Sequence, residues 1–164
     1  MLSWLKNLLS PPQPAGPPRL IQRFDGSQAT ISTSSIIADA EGWHIDADKS
    51  ATFHLFELDP GDIENGMVTY RASIKSEAVK TQGYLEMWCR IPGKGEFFSK
   101  GLNNPVKGSN DWASYEIPFY LTKEQNPELV IMNFKLEGGG SGWRKAVGVR
   151  VTPFMWGFVY AFFA

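Results

Sequence analysis

Tyr84, Glu86, Trp88 and Arg90 alternate with Leu85, Met87, Cys89 and Ile91. A period of two puts the first four on one face of a strand and the second four on the other. The polar face combines two aromatic rings with one acid and one base. A flat ring offers an apolar surface to the C–H face of a sugar, while carboxylate and guanidinium reach its hydroxyls. Arg71, on an earlier alternating run, and Asn133, on a later apolar one, add donors and acceptors. The expected ligand-binding set is therefore Arg71, Tyr84, Glu86, Trp88, Arg90 and Asn133. The competing reading assigns the rings to packing. With six Trp in one small chain some belong to the core, and a loop or a chain end would cover Tyr84 and Trp88.

Reaction chemistry has thinner support. Glu86 and Glu116 both alternate away from the apolar face, and a glycosidase needs two carboxylates about 5–5.5 Å or 6.5–9.5 Å apart. Exposed carboxylates on strands are more often solvated or paired, here with Arg71 or Arg90. No Gly-x-Ser-x-Gly elbow occurs. The Gly-x-Gly pairs at Gly93–Gly95 and within Gly138–Gly142 do not lead from a strand into a helix, so they cradle no phosphate. His44 and His54 are the only histidines, and each reads as a hydrogen-bonded strand residue. Asp59, Asp62 and Glu64 cluster in a turn that reads as solvated rather than as a Ca²⁺ site. Cys89, the lone cysteine, alternates with apolar residues and reads as an inert core thiol. The expectation is a noncatalytic chain with no cofactor and no metal.

Charge narrows the partners. Sixteen basic and seventeen acidic residues leave a net charge of −1. There is no basic excess to hold a phosphate backbone, so nucleic acid is not an expected partner. One Cys excludes an internal disulfide and a Cys-rich zinc site.

Short β-rich runs separated by turn signals must position these side chains. They fall at residues 29–37, 42–45, 52–58, 67–75, 83–91, 97–102, 112–120, 129–136 and 143–151. Pro92–Gly95 and Asn126-Pro127 are turns, residues 103–110 a loop, and Gly138–Gly142 a flexible hairpin loop. Pro118 within a run marks an edge strand or a bulge. Many short strands at this spacing predict an all-β fold, a sandwich or a barrel.

The ends differ from the body. Residues 1–10 place Leu2, Leu5, Leu8 and Leu9 at helical spacing, predicting a short amphipathic helix. Residues 11–18 hold five prolines and read as a semi-rigid linker. The domain is expected over residues 19–152. The run from Phe154 to Ala164 has no charge. At 1.5 Å per residue a helix of that length covers only about 16 Å of a hydrocarbon core about 30 Å thick. It reads as the start of a membrane segment, an interfacial anchor or a packed strand. Arg144, Lys145 and Arg150 lie upstream, so membrane contact through Phe154–Ala164 would set the domain on the cytoplasmic side.

The stretch from Phe53 to Val151 resembles the galactose-binding-like jelly-roll superfamily, which includes many bacterial carbohydrate-binding modules. It is most similar to an uncharacterised bacterial group of such domains. Tyr70-Arg-Ala-Ser-Ile-Lys-Ser-Glu77, Tyr84-Leu-Glu-Met-Trp-Cys89 and Pro92-Gly-Lys-Gly-Glu-Phe-Phe-Ser99 carry the resemblance, with Asp111-Trp112, Tyr115-Glu116, Pro118-Phe119 and Asn126-Pro127. The family's closing aromatic-Ile-Asp-Asp-Val strand reads Trp143-Arg-Lys-Ala-Val147 here, without the acidic pair. The resemblance implies a jelly-roll β-sandwich of two antiparallel sheets, and in some relatives a membrane segment follows. The combined expectation is a noncatalytic module that binds a carbohydrate-like or other polar ligand at a membrane. The alternative is a structural or protein-interaction domain whose aromatic face binds a protein partner or the chain's own termini.

Overall fold

The computed structural model describes residues 13–34, 36–40 and 42–155. The expected helix over residues 1–10 and the end of the apolar run lie outside them. The described elements are strands: β1 (Gln13–Pro14), β2 (Arg19–Phe24), β3 (Ile36–Asp39), β4 (Gly42–Ala47), β5 (Ala51–Leu58), β6 (Gly66–Ile91), β7 (Gly95–Lys100), β8 (Val106–Leu121), β9 (Leu129–Glu137) and β10 (Gly140–Met155). All pairings are antiparallel.

β6 organises the molecule. The runs expected at 67–75 and 83–91 are not two strands but the two halves of this one. Its first half pairs with β8 on one side and β10 on the other, and β10 carries β2 and β4 beyond it. Its second half pairs with β7 and β9, and β9 carries β5. The result is one curled antiparallel sheet. The curl falls where β6 shifts register against β8, between Ser76 and Gly83. Ala78 has a φ of 50°, a left-handed value rare for a residue with a Cβ.

The glycine run corrects the expected hairpin. β9 and β10 do not pair with each other; both run alongside β6, on successive halves. Gly138, Gly139 and Gly140 have φ of 82°, 89° and 139°, and they bend this outer ribbon to follow β6. A Cβ on Gly139 would lie 2.7 Å from the Asp48 carbonyl oxygen, so close backbone contact as well as conformation demands glycine there. The expected loop at 103–110 likewise gives way to strand from Val106 onward.

The bend also reverses the inward parity. Val68, Tyr70, Ala72 and Ile74 point inward on the first half, and Leu85, Met87, Cys89 and Ile91 on the second. Both sets join a single core cluster with Phe53, Leu55, Val130, Met132 and Phe134. Removing such side chains from water is worth about 1.5–3 kcal/mol each, which holds the two halves against each other. Pro118 sits on β8, paired only with β6 among the described strands, so the expected edge position holds. Gln13 and Pro14, within the proline segment, pair with Met155 and Phe154.

Candidate functional site

The second half of β6 turns Tyr84, Glu86 and Trp88 to its outer face, and the hairpin into β7 supplies the neighbours. Residues 92–94 form the turn, with the Lys94 N–H donating to the Ile91 carbonyl at 3.0 Å. Gly93 and Gly95 adopt φ of 72° and 108°. That turn fixes the register and sets Phe98 opposite Trp88 and Lys100 opposite Glu86.

A polar row then crosses four strands. Lys100 on β7 faces Glu86 on β6, Glu86 faces Asn133 on β9, and Asn133 faces His54 on β5. Glu86 is the hub and is only 5% exposed. Its Oε1 accepts from Trp88 Nε1 at 2.9 Å and from Asn133 Nδ2 at 3.2 Å. Lys100 Nζ lies 3.5 Å from its Oε2. A carboxylate this buried needs such donors. Asn133 is itself buried, and its Oδ1 has no hydrogen-bond partner within the protein. His54 Nε2 lies 3.2 Å from Glu57 Oε1, but without the angles of a hydrogen bond.

Beside this row is an aromatic pair. The Trp88 and Phe98 rings lie 5.1 Å apart at 51°. Phe98 is 54% exposed and Trp88 half-buried. Lys100 Nζ sits 4.8 Å above the Phe98 ring, so the same ammonium serves carboxylate and ring.

The six expected residues do not form one group. Glu86, Trp88 and Asn133 come together. Tyr84 lies on the same face but is buried, and its hydroxyl donates to Glu137 Oε1 at 3.3 Å. Burial first, then the Glu137 charge and hydrogen bond, push its phenol up to about 12. Arg90 is at the rim, where its Nη2 lies 2.8 Å from Glu96 Oε1. Arg71 belongs to the other half of β6, opposite Glu116 and Gly148. Glu86 and Glu116 therefore stand on different halves and flank no common site. Phe98, Lys100 and His54 were missed as site residues. The signal for Phe98 and Lys100 was the tight turn at 92–95, which prescribes their register against Trp88 and Glu86.

Other candidates resolve into structure. Burial pushes the Cys89 thiol up to about 12, which leaves it unreactive. Asp59 Oδ1 accepts from the Gly61 N–H, Asp62 Oδ1 from Asn126 Nδ2, and Glu64 Oε2 from the Glu124 N–H. Among the described residues no three His, Cys, Asp or Glu side chains group to hold a metal. A cleft of about 570 Å³ lies elsewhere, lined by Asp46, Asp48, Lys49, Thr52 and Ser32. Its ring, Phe53, is 4% exposed and belongs to the core, so the cleft offers no stacking surface.

No family model matches the sequence, and no curated protein matches it. Solved structures do match in fold. One is the CBM22-1 xylan-binding domain of Paenibacillus barcinonensis Xyn10C, with a TM-score of 0.57, 11% identity, and 85% of this chain and 98% of that one covered. Another holds the CBM22-1 and GH10 modules of Clostridium thermocellum xylanase Xyn10B with xylohexaose, at a TM-score of 0.55, 8% identity, 79% of this chain and 28% of that one. A third, the CBM1 of BiXyn10A, gives 0.51 and 17%, covering 80% of this chain and 97% of that one. The chain thus has a carbohydrate-binding-module-like jelly-roll fold, and at these identities the likeness is one of fold.

Proposed function

We propose that the chain is a noncatalytic binding module whose second-half outer face takes a carbohydrate-like ligand, the two halves of its curled sheet acting as the two layers of a jelly-roll sandwich. One observation carries the reading: the ring pair of exposed Phe98 and half-buried Trp88 lies beside Asn133, a buried amide whose Oδ1 has no partner within the protein. The rings receive the apolar face of a sugar. Asn133 Oδ1 accepts from a hydroxyl. Lys100 and His54 offer further polar contacts, and the Arg90–Glu96 pair bounds the face. Glu86 holds Trp88 and Asn133 in place through its two hydrogen bonds. The printed descriptions of two fold neighbours concern xylan or xylohexaose, which makes xylohexaose the first probe. The proposal extends to membrane contact through Phe154–Ala164, with the domain on the cytoplasmic face.

Tryptophan fluorescence titration with xylohexaose and a panel of neutral oligosaccharides tests the binding reading. Saturable binding is expected, with Trp88→Ala and Phe98→Ala each weakening it about tenfold, the equivalent of ~1.4 kcal/mol. A panel that produces no saturable change would defeat the carbohydrate reading. If Trp88→Ala nevertheless abolished binding to a protein partner, the face would be a protein-interaction surface.

A further inference from the structure

The outer face of the first half carries a second, chemically different site. Arg71 on β6 pairs with Gly148 on β10, and Gly148 pairs with Arg23 on β2. Adjacent strands are about 4.8 Å apart, so the two arginines start on the order of 10 Å apart across the sheet. Gly148 contributes no side chain between them. Arg150 occupies the next outward position of β10, paired with Thr69 and Leu20. Arg23, Arg71 and Arg150, with Ser73, Ser114 and Gly148, line a cleft of about 310 Å³.

Among the described residues no ion pair neutralises the charges in this cleft. No carboxylate among the described residues lines it. Among the described residues, none of the three guanidinium groups has an acid within 4.0 Å. Glu116, in register with Arg71, is exposed and outside the lining. Arg71 and Arg150 are half-buried, so water screens them incompletely. Arginine cannot relieve the repulsion by losing a proton. Three converging cations in a chain of net charge −1 are therefore a local arrangement, not an average property.

We propose that this cleft binds a phosphoryl group presented as a phosphate monoester. A carboxylate ligand carries one charge and is matched by one guanidinium fork, which leaves two arginines unpaired. A phosphate monoester carries about −1.5 to −2 charges and three acceptor oxygens. Arg71 and Arg23 clamp it from opposite sides of Gly148 by bidentate hydrogen bonds. Arg150 closes the third side, and the Ser73 and Ser114 hydroxyls donate to the remaining oxygen lone pairs. The size is near the lower end for small-molecule sites, about 300–1,000 Å³. The ester belongs either to a soluble ligand or to a lipid headgroup. This inference is independent of the aromatic face, since none of its residues is shared.

The full chain is titrated calorimetrically with phenyl phosphate and, in parallel, with benzoate. It is also sedimented with phosphatidylcholine vesicles containing phosphatidic acid, and with vesicles containing phosphatidylglycerol at the same fraction. Phenyl phosphate is expected to bind saturably and at least about tenfold more tightly than benzoate. Arg71→Gln and Arg150→Gln should each lower that affinity about tenfold, Arg71→Lys should recover it only in part, and Glu116→Gln should strengthen it. Circular dichroism melts establish that the variants remain folded. Phosphate binding, or phosphatidic-acid binding in excess of phosphatidylglycerol, that is lost in Arg71→Gln supports the site and names its source. Equal affinity for benzoate, or binding untouched by both Arg71→Gln and Arg150→Gln, overturns it. So does the absence of binding in both arms.

Discussion

Glu86 and Trp88 stand two residues apart on one strand, and each fixes the other. The indole N–H donates to a carboxylate that is 5% exposed, and the carboxylate in turn holds the indole edge so that the ring stays beside Phe98. The two roles of Trp88 separate by substitution. Trp88→Phe keeps a ring but removes a donor from a buried charge, which costs about 1–3 kcal/mol. Urea unfolding should register that loss, while oligosaccharide affinity should fall less than in Trp88→Ala. An unfolding midpoint unchanged by Trp88→Phe would show that Glu86 does not depend on the indole. Tyr84 gives a pH signature. Its folded phenol is raised to about 12 from an ordinary 10, chiefly by burial and secondly by Glu137. The neutral form is thus favoured on folding, so its contribution is complete below pH 10 and is lost as pH climbs toward 12. Tyr84→Phe should make unfolding stability fall less steeply across that interval. An identical slope in the variant would remove Tyr84 from the alkaline transition.

At the scale of elements, alternation was the most legible property. The inward sets of both halves of β6, the edge position of β8 and the turn at 92–95 all follow from residue type and spacing. What alternation does not carry is continuity. Residues 76–82 have no clean period, because the strand changes parity there as it bends, and the sequence therefore reads as two strands with a gap. The same bend makes Gly138–Gly140 look like a hairpin loop, since glycine marks positive φ without saying which strands it joins. Site membership suffered for the same reason. Arg71 and Glu86 both face outward, but on opposite sides of a bend that leaves no pattern. Short-range register, by contrast, could place Phe98 and Lys100. The bend is testable through its glycines. Gly139→Ala forces a Cβ to within 2.7 Å of the Asp48 carbonyl oxygen at a φ of 89°. It should destabilise by about 1–3 kcal/mol from backbone strain, with contact strain in addition. Gly93→Ala, at a φ of 72° with nothing within 4 Å of the new Cβ, should cost only about 1 kcal/mol. Equal effects on the thermal midpoint would mean that the close approach at Gly139 contributes nothing.

Across the whole molecule, the curl gives the chain two outer faces of different character. One carries the aromatic pair over a buried carboxylate, and the other carries three arginines around a glycine floor. The described chain ends belong to the arginine-bearing half. Gln13 and Pro14 pair with Met155 and Phe154 at the end of β10, and the Ala15 N–H donates to the Pro153 carbonyl at 2.8 Å. The proline segment and the start of the uncharged run are thereby held together, five residues or fewer beyond Arg150. No helix among the described residues is long and apolar enough to cross a membrane. The leucine-rich residues 1–10 precede these paired residues in the sequence and the uncharged run continues from them, and two weak attachments reinforce each other. The proposed membrane contact is therefore expected to need both. In fractionation of a tagged full chain, the protein should sediment with membranes. Phe158→Glu with Phe162→Glu should shift most of it to the soluble fraction, and Leu5→Glu with Leu9→Glu should do so in part, with the oligosaccharide titration unchanged in each case. A full chain recovered wholly in the soluble fraction would contradict the membrane reading. Sedimentation that survives both pairs of substitutions would move the attachment from the termini to the folded domain.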